Sequence, residues 1–323
     1  MSNRINLAQT EKLLRDADNI IILTHRYPDG DTLGSAYALC RILRELHKTA
    51  HVLCPDPIPP KYDYLREGID DADNNRIKNA NFIVAVDIAA PLLLGGLESE
   101  YSEIIDLCID HHGSNSFYAK HTLLDTSAAA AGEIIYNLWR EMRQEQSEFN
   151  HDLIKIAECI FTAITTDTGC FRYCNVTPVT HGIAAHLLKT GIDGAAINRA
   201  MFESKSRARM RVEQMVLSTL RFYDDTIAVI SLSKKAVEES GAGEGDLDGL
   251  ASIPRRIEGI KTGMFLRESD DGWKISLRTA PGVDASKICG RLGGGGHPAA
   301  AGATLQCGLD ETLDKVLEAI RME

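Results

Sequence analysis

Three apolar runs in the first half of the chain each end on an acid or an imidazole. Ile20-Ile21-Ile22-Leu23-Thr24 leads into His25, with Asp29 and Asp31 just beyond. Phe82-Ile83-Val84-Ala85-Val86 leads into Asp87, and Ile104-Ile105-Asp106-Leu107-Cys108-Ile109 into Asp110-His111-His112. Short apolar runs of this kind read as buried strands. After the first run, Leu33, Ala36, Leu39, Cys40, Leu43 and Leu46 recur at helical spacing, and a further strand is expected over residues 50–54. Strand, helix, strand is the unit that builds a parallel sheet with a right-handed crossover. Ligands of open parallel sheets bind at the carboxyl ends of the strands. Three strand ends with metal-binding chemistry therefore predict one site.

The remainder sorts into two textures. A fifth strand is expected at 121–125, and helices at 7–18, 129–142, 150–165 and 177–190. A long polar helix is expected over 195–222. Beyond it lie a strand at 226–232, a Gly- and acid-rich loop at 238–248, and paired strands at 259–267 and 273–279. A helix at 285–292, a glycine loop at 293–297 and a last helix at 310–321 complete the chain. The fold class is α/β: a parallel-sheet domain with flanking helices over 1–190, a helical linker over 191–222, and a smaller α+β domain over 223–323. A chain of 323 residues exceeds one ordinary core, so two domains are the natural division.

A formal charge of −11 argues against nonspecific coating of long duplex nucleic acid, which needs many phosphate-neutralising Lys and Arg. A small polyanion at a metal site remains compatible, because a bound cation supplies local positive charge. No apolar segment approaches the ~20 residues of a membrane span, so no membrane partner is expected. Eight scattered cysteines without a Cys-x-x-Cys pair read as reduced thiols, and a cytoplasmic location is expected.

His25, Asp29 and Asp31 fall within seven residues on a loop stiffened by Pro28 and Gly30. Carboxylate with imidazole suits Mn²⁺, Fe²⁺ or Zn²⁺, and the lack of thiolates argues against structural zinc. Singly, each motif has a plain reading: Asp-Gly-Asp as a solvated turn, Asp87 as a cap, the Asp110 triplet as a strand-end turn. Together with Asp167 they make four segments with acid or imidazole at the end of an apolar element. Farther on, Gly293 to Gly296 and His297 offer a backbone that can approach an anion closely. Arg278 and Arg256 are candidates to clamp phosphate oxygens. No Gly-Lys-Ser/Thr follows the glycines, so this is not a Walker A loop.

The order His25-x-x-Pro28-Asp29-Gly30-Asp31-x-x-Gly34-Ser35, Val86-Asp87, Asp110-His111-His112, Thr166-Asp167-Thr168-Gly169 resembles the DHH phosphoesterase superfamily. The glycines with His297-Pro298-Ala299-Ala300-Ala301-Gly302 resemble its DHHA1 domain. Length and layout resemble the branch of small oligoribonucleases and 3′-phosphoadenosine 5′-phosphate (pAp) phosphatases. Cys170 stands where Ser is common, and Ile88-Ala89 where Thr or Ser is common; neither removes a ligand.

The resemblance implies two Mn²⁺ ions, with Mg²⁺ or Co²⁺ as substitutes. His25, Asp29 and Asp87 would hold one; Asp31, Asp87, His111 and Asp167 the other. His112 would face the scissile phosphate, and Asp110 would orient an imidazole from behind. Gly294, Gly295, Gly296, His297, Arg278 and Arg256 would bind the rest of the substrate. The expected substrates are short single-stranded RNA, dinucleotides or pAp. The alternatives are a cyclic- or linear-dinucleotide phosphodiesterase and, from another class, a nucleotide sensor without turnover. A family II pyrophosphatase lacks the glycine loop, and a RecJ-type exonuclease is normally longer. The oligomeric state is left open, a homodimer included.

Overall fold

The computed structural model describes residues 3–69, 80–143 and 151–323, so the expected helix start at Asn150 lies outside the described residues. Strands β1 (Ile20–Leu23), β2 (Ala50–Leu53), β3 (Phe82–Val86), β4 (Leu107–Asp110) and β5 (His121–Leu124) form a parallel sheet in the order β2-β1-β3-β4-β5. Successive side chains of a strand point to opposite faces. Ile20 and Ile22 accordingly join one buried layer, while Ile21 and Leu23 join the other with Ile83, Ala85 and Cys108. The first layer is closed by α1 (Leu7–Asp16), α2 (Gly30–Glu45), α4 (Ala131–Met142) and α5 (His151–Asp167), around a buried Tyr37 and Trp139. A short α3 (Glu98–Tyr101) packs on the second face through Tyr101. Strand order reverses between β1 and β3, so their carboxyl ends flank the crevice where such sheets bind ligands.

Helices α6 (Pro178–Leu188) and α7 (Gly194–Asn198) complete a first compact unit, Met1–Ser204. The second unit, Lys205–Glu323, opens with α8 (Arg207–Ser218). It contains β6 (Arg221–Tyr223), β7 (Ile227–Leu232), α9 (Lys234–Ser240), β8 (Thr262–Ser269), β9 (Gly272–Thr279), α10 (Ala285–Arg291), β10 (Gly295–His297), β11 (Ala300–Leu305) and α11 (Leu309–Arg321). Its sheet runs β10-β11-β9-β8-β7-β6, with only β7 and β8 parallel. Met264, Leu266, Ile275 and Leu277 pack toward α10 and α11, and Phe265 and Ile230 toward α8. No helix among the described residues is long and apolar enough to cross a membrane.

Five local expectations change. Helix α2 begins at Gly30, because the Asp29 side chain caps it by accepting from the amides of Asp31 and Thr32. Asp31 therefore sits on a helix and not on a loop. Strand β4 begins only at Leu107; Ile104 before it is exposed. The single long helix over 195–222 is broken. Helix α7 is tied to α5 by Thr165 donating to Asn198 (2.7 Å), whereas α8 starts afresh where Ser206 caps Arg209. Val212 and Val216 of α8 pack in the second unit, and β6 follows. Part of the acid-rich loop at 238–248 belongs to α9, which ends at Gly241 in the left-handed region. Part of the glycine loop is strand β10, whose residues Gly295, Gly296 and His297 pair with Gly302, Ala301 and Ala300.

Candidate metal centre and substrate surface

The carboxyl ends of β1, β3 and β4, the first turn of α2 and the last residue of α5 bring seven side chains together. Within each of the groups His25/Asp29/Asp87, Asp31/His111/Asp167 and Asp87/His111/His112, one donor atom per residue lies within 4.8 Å of the others. His25 Nε2 is 3.5 Å from Asp29 Oδ1 and 3.6 Å from Asp87 Oδ2. His111 Nε2 is 3.6 Å from Asp31 Oδ2, 3.6 Å from Asp87 Oδ1 and 3.7 Å from Asp167 Oδ2. These separations are too long for good hydrogen bonds and short enough for a shared cation.

The imidazole tautomers follow from their other nitrogens. His25 Nδ1 lies 2.8 Å from the Arg26 carbonyl, and His111 Nδ1 lies 3.2 Å from that of Ala128. A carbonyl can only accept, so each Nδ1 carries a proton, and Nε2, which faces carboxylates, is the atom left to bind a cation. Asp87 Oδ1 and His111 Nε2 are buried without a hydrogen bond. Such orphaned acceptors fit a cation, as does the donor set of oxygen and imidazole nitrogen.

The electrostatics agree. Asp31 and Asp87 are 1% and 3% exposed. Burial, then the charges of Asp87, Asp167 and Asp29, push the Asp31 carboxyl well above its ordinary range. Burial raises Asp87 against the pull of His112, and it raises Asp167 to about 6 against the pull of His111. Burial opposes charge on His25, yet Asp29 and the groups around it hold its pKa at about 8. Concentrated negative charge on buried carboxylates is unfavourable until a cation neutralises it.

The surrounding backbone explains the precision. Thr32 donates to the Val86 carbonyl and accepts from the His25 amide, joining α2 to the ends of β1 and β3. Ala130 offers α4 no capping side chain. Asp31 takes that role from α2, accepting from Ala131 N (2.7 Å), Gly132 N (3.0 Å) and Ser35 Oγ (3.0 Å). Asp87 adopts φ 61°, a left-handed conformation uncommon outside glycine, in the turn straight after β3.

Asp110 is buried against the ring of His112. Its Oδ1 accepts from the amides of His111 and His112 and from His112 Nδ1 (2.9 Å), and its Oδ2 from Asn115 Nδ2 (2.6 Å). His112 Nδ1 also lies 3.3 Å from Asp87 Oδ1, but its one proton goes to the shorter contact. Asp110 first, then Asp87, lifts the His112 pKa to about 11. Sequence reasoning gave no role to Asn115, Ser35, Thr32 or the amides of α4. The available signal was the small-residue run at 128–132, which leaves a helix start with no side chain of its own to cap it.

In the second unit, register relates the remaining candidates. His297 pairs with Ala300, Ala300 with Arg278, and Arg278 with Gly263, so His297 and Arg278 share one face of the sheet. A Cβ at Gly263 would lie 2.8 Å from Arg255 N, so the short turn Pro254–Arg256 rests against that row through Arg255, while Arg256 itself is exposed. Gly295, Gly296 and His297 are exposed. A Cβ at Gly294 would lie 2.1 Å from the Gly302 carbonyl and one at Gly296 2.6 Å from that of Ala300, so two of the glycines serve the hairpin itself. Arg278 Nη1 donates to the Leu277 carbonyl at 2.9 Å.

Residues 19–164 match the DHH family, N-terminal domain, and residues 224–323 match the DHHA1 domain. A bifunctional oligoribonuclease and PAP phosphatase NrnA of Thermus thermophilus is 36% identical over 94% of this chain and 90% of its own length. Its Bacillus subtilis namesake is 27% identical over 89% and 90%. The crystal structure of an exopolyphosphatase-related protein from Bacteroides fragilis superposes with a TM-score of 0.86 at 27% identity, covering 98% of this chain and 95% of that one. The chain belongs to the DHH family of phosphoesterases, as a member in which a DHHA1 domain follows the DHH domain.

Proposed function

We propose that this chain hydrolyses phosphoester bonds of short oligoribonucleotides and dinucleotides, and releases the 3′-phosphate of pAp to give AMP. The observation that carries the reading is one buried carboxylate, Asp87, shared between two facing groups of ligand atoms. His25, Asp29 and Asp87 would hold one cation; Asp31, Asp87, His111 and Asp167 the second. Two divalent ions, Mn²⁺ in the first instance and Mg²⁺ or Co²⁺ as substitutes, would supply Lewis-acid charge and a water of lowered pKa. The likeness to the NrnA relatives supports the substrate class.

The chain's own groups do the rest. Ala128 and Arg26 carbonyls fix the ligand tautomers, and the α4 amides and Ser35 hold both oxygens of Asp31 in place. A charged His112, its Nδ1–H committed to Asp110, keeps Nε2–H to donate to an oxygen of the scissile phosphate. In the second unit, the face bearing Arg278 and His297, together with Arg256 and the amides of Gly294, Gly295 and Gly296, would hold a non-scissile phosphate or nucleotide end. The test is a substrate panel with Mn²⁺: pAp, a labelled dinucleotide and a long RNA. Product from the first two and little from the third is expected. Binding without product from any of the three would make the chain a sensor and overturn the reading.

A further inference from the structure

The loop that carries His25 and Asp29 also displays an aromatic ring that the chemistry above leaves without a role. Tyr27 lies between these two side chains in sequence and is 74% exposed. Its φ is 54°, an outlier for a bulky residue, and it precedes Pro28, which favours extended backbone at the residue before it. The conformation is held in place. Tyr27 N donates to Asp56 Oδ2 at 2.8 Å. Next to it, Arg26 N donates to the Leu93 carbonyl at 2.7 Å. The Arg26 stem rests on Gly95, where a Cβ would lie 3.0 Å from Arg26 Cβ. From that seat the guanidinium lies 4.6 Å from the centroid of the Tyr27 ring and donates to its hydroxyl at 2.7 Å. An exposed aromatic gains little from burial, so core packing does not explain why the backbone holds it in a costly conformation.

We propose that Tyr27, braced on one face by Arg26, is a stacking platform for the nucleobase of the nucleotide whose phosphate lies at the metal centre. This rests on the function proposed above and names how that site selects a nucleotide over any other phosphoester. An aromatic face is sequence-tolerant, because every base has a π-face to offer, and a cation on the opposite face of the ring adds to the pair. The platform thus favours nucleotides without choosing among bases.

Tyr27→Gly is the informative variant, because glycine accepts the positive φ that tyrosine resists. Its thermal midpoint should equal or exceed that of the wild type. Its affinity for AMP should fall about 10-fold, within the range of one base–aromatic stack. Its affinity for ribose 5-phosphate, which lacks a base, should not change. Tyr27→Phe keeps the ring and should retain AMP binding. With a dinucleotide substrate, the Gly variant should raise KM and leave kcat near the wild-type value. Unchanged AMP affinity in Tyr27→Gly, or an equal loss for AMP and ribose 5-phosphate, would overturn the platform. Because the titrations read binding alone, wild-type protein that binds AMP through Tyr27 but hydrolyses nothing would refute the proposed function and leave the platform standing.

Discussion

The two candidate surfaces solve opposite problems. The first unit gathers Asp31, Asp87 and Asp110 at 0–3% exposure and surrounds them with imidazoles, so its chemistry is buried and its charges crowd one another. The second unit leaves Gly295, Gly296 and His297 in the open on a short strand, beside a half-buried Arg278. A crowded pocket stores unfavourable electrostatics that a cation or a proton must relieve, so each residue in it is tightly constrained. An open surface of cations and amides carries no such strain, so its residues contribute separately. The first should therefore fail abruptly on substitution and the second by degrees.

Asp87 is the sharpest test of that contrast. It faces both His25 and His111, so Asp87→Ala removes an oxygen from each ligand group at once. Metal-assisted charge stabilisation is worth several kcal/mol, so kcat should fall on the order of 10³-fold or more. Wild-type-like turnover with Mn²⁺ present would sink the mechanism.

Charge crowding also predicts how the metal-free protein responds to pH. Asp167 has its pKa raised to about 6, His25 to about 8 and His112 to about 11. In each case the folded state binds its proton more tightly than the unfolded chain does. The stability from Asp167 is complete below its unfolded value near 4 and lost as pH rises through about 6. That from His25 is complete below about 6.5 and lost through about 8; that from His112 drains away above about 6.5. All three have the same sign, so the metal-free midpoint should fall between about pH 5 and 8, by on the order of 2 kcal/mol for Asp167 alone. Mn²⁺ should raise the midpoint more at pH 8 than at pH 5, where protons compete for the ligands. Calorimetry with and without chelator reads both effects; a metal-free midpoint that climbs over this range would contradict the crowding.

Asn115 probes a smaller part of the same pocket. It is 7% exposed and donates to Asp110 Oδ2 at 2.6 Å, a residue with no ligand role of its own. Asn115→Leu leaves a buried carboxylate oxygen unpaired, at about 1–3 kcal/mol. A loss in kcat of roughly 10- to 100-fold is expected, with altered ring resonances for His112 and little change in KM. Loss of stability alone, with kcat intact, would show that the Asn115 contact does not reach the chemistry.

What the sequence made legible follows the same division. The gathering of His25, Asp29, Asp31, Asp87, His111 and Asp167 was readable because apolar runs announce strand ends and four such ends carry acid or imidazole together; singly each had a plain reading, and the division into two ligand sets came from the resemblance alone. The parallel sheet was readable from the same apolar runs. Helix limits were less so: the start of α2 depends on Asp29 acting as a cap, and the break between α7 and α8 on which core each half joins. The supports of the site were opaque, because Ala128 acts through its carbonyl and Ala131 and Gly132 through their amides. Backbone groups are the same in every residue, and only the fold says which of them point at a ligand. The glycine run misled in part, since Gly294 and Gly296 are required for close packing within the hairpin and not only for an approaching anion.

Arg278 gives the gentlest test, on the open side of the comparison. Among the described residues its guanidinium donates only to a neighbouring carbonyl, so Arg278→Ala removes no support from the sheet and the midpoint should hold. A charge-assisted hydrogen bond to phosphate is worth about 1.5–3 kcal/mol, less whatever solvent screens at a half-buried position. KM for pAp or a dinucleotide should therefore rise by about 10-fold while kcat stays within a factor of about two. Arg278→Lys should recover part of that loss, because a point charge remains while the planar fork is lost. A fall in kcat comparable to that of Asn115→Leu would mean that Arg278 acts on the transition state, and the division between a brittle pocket and a tolerant surface would not hold.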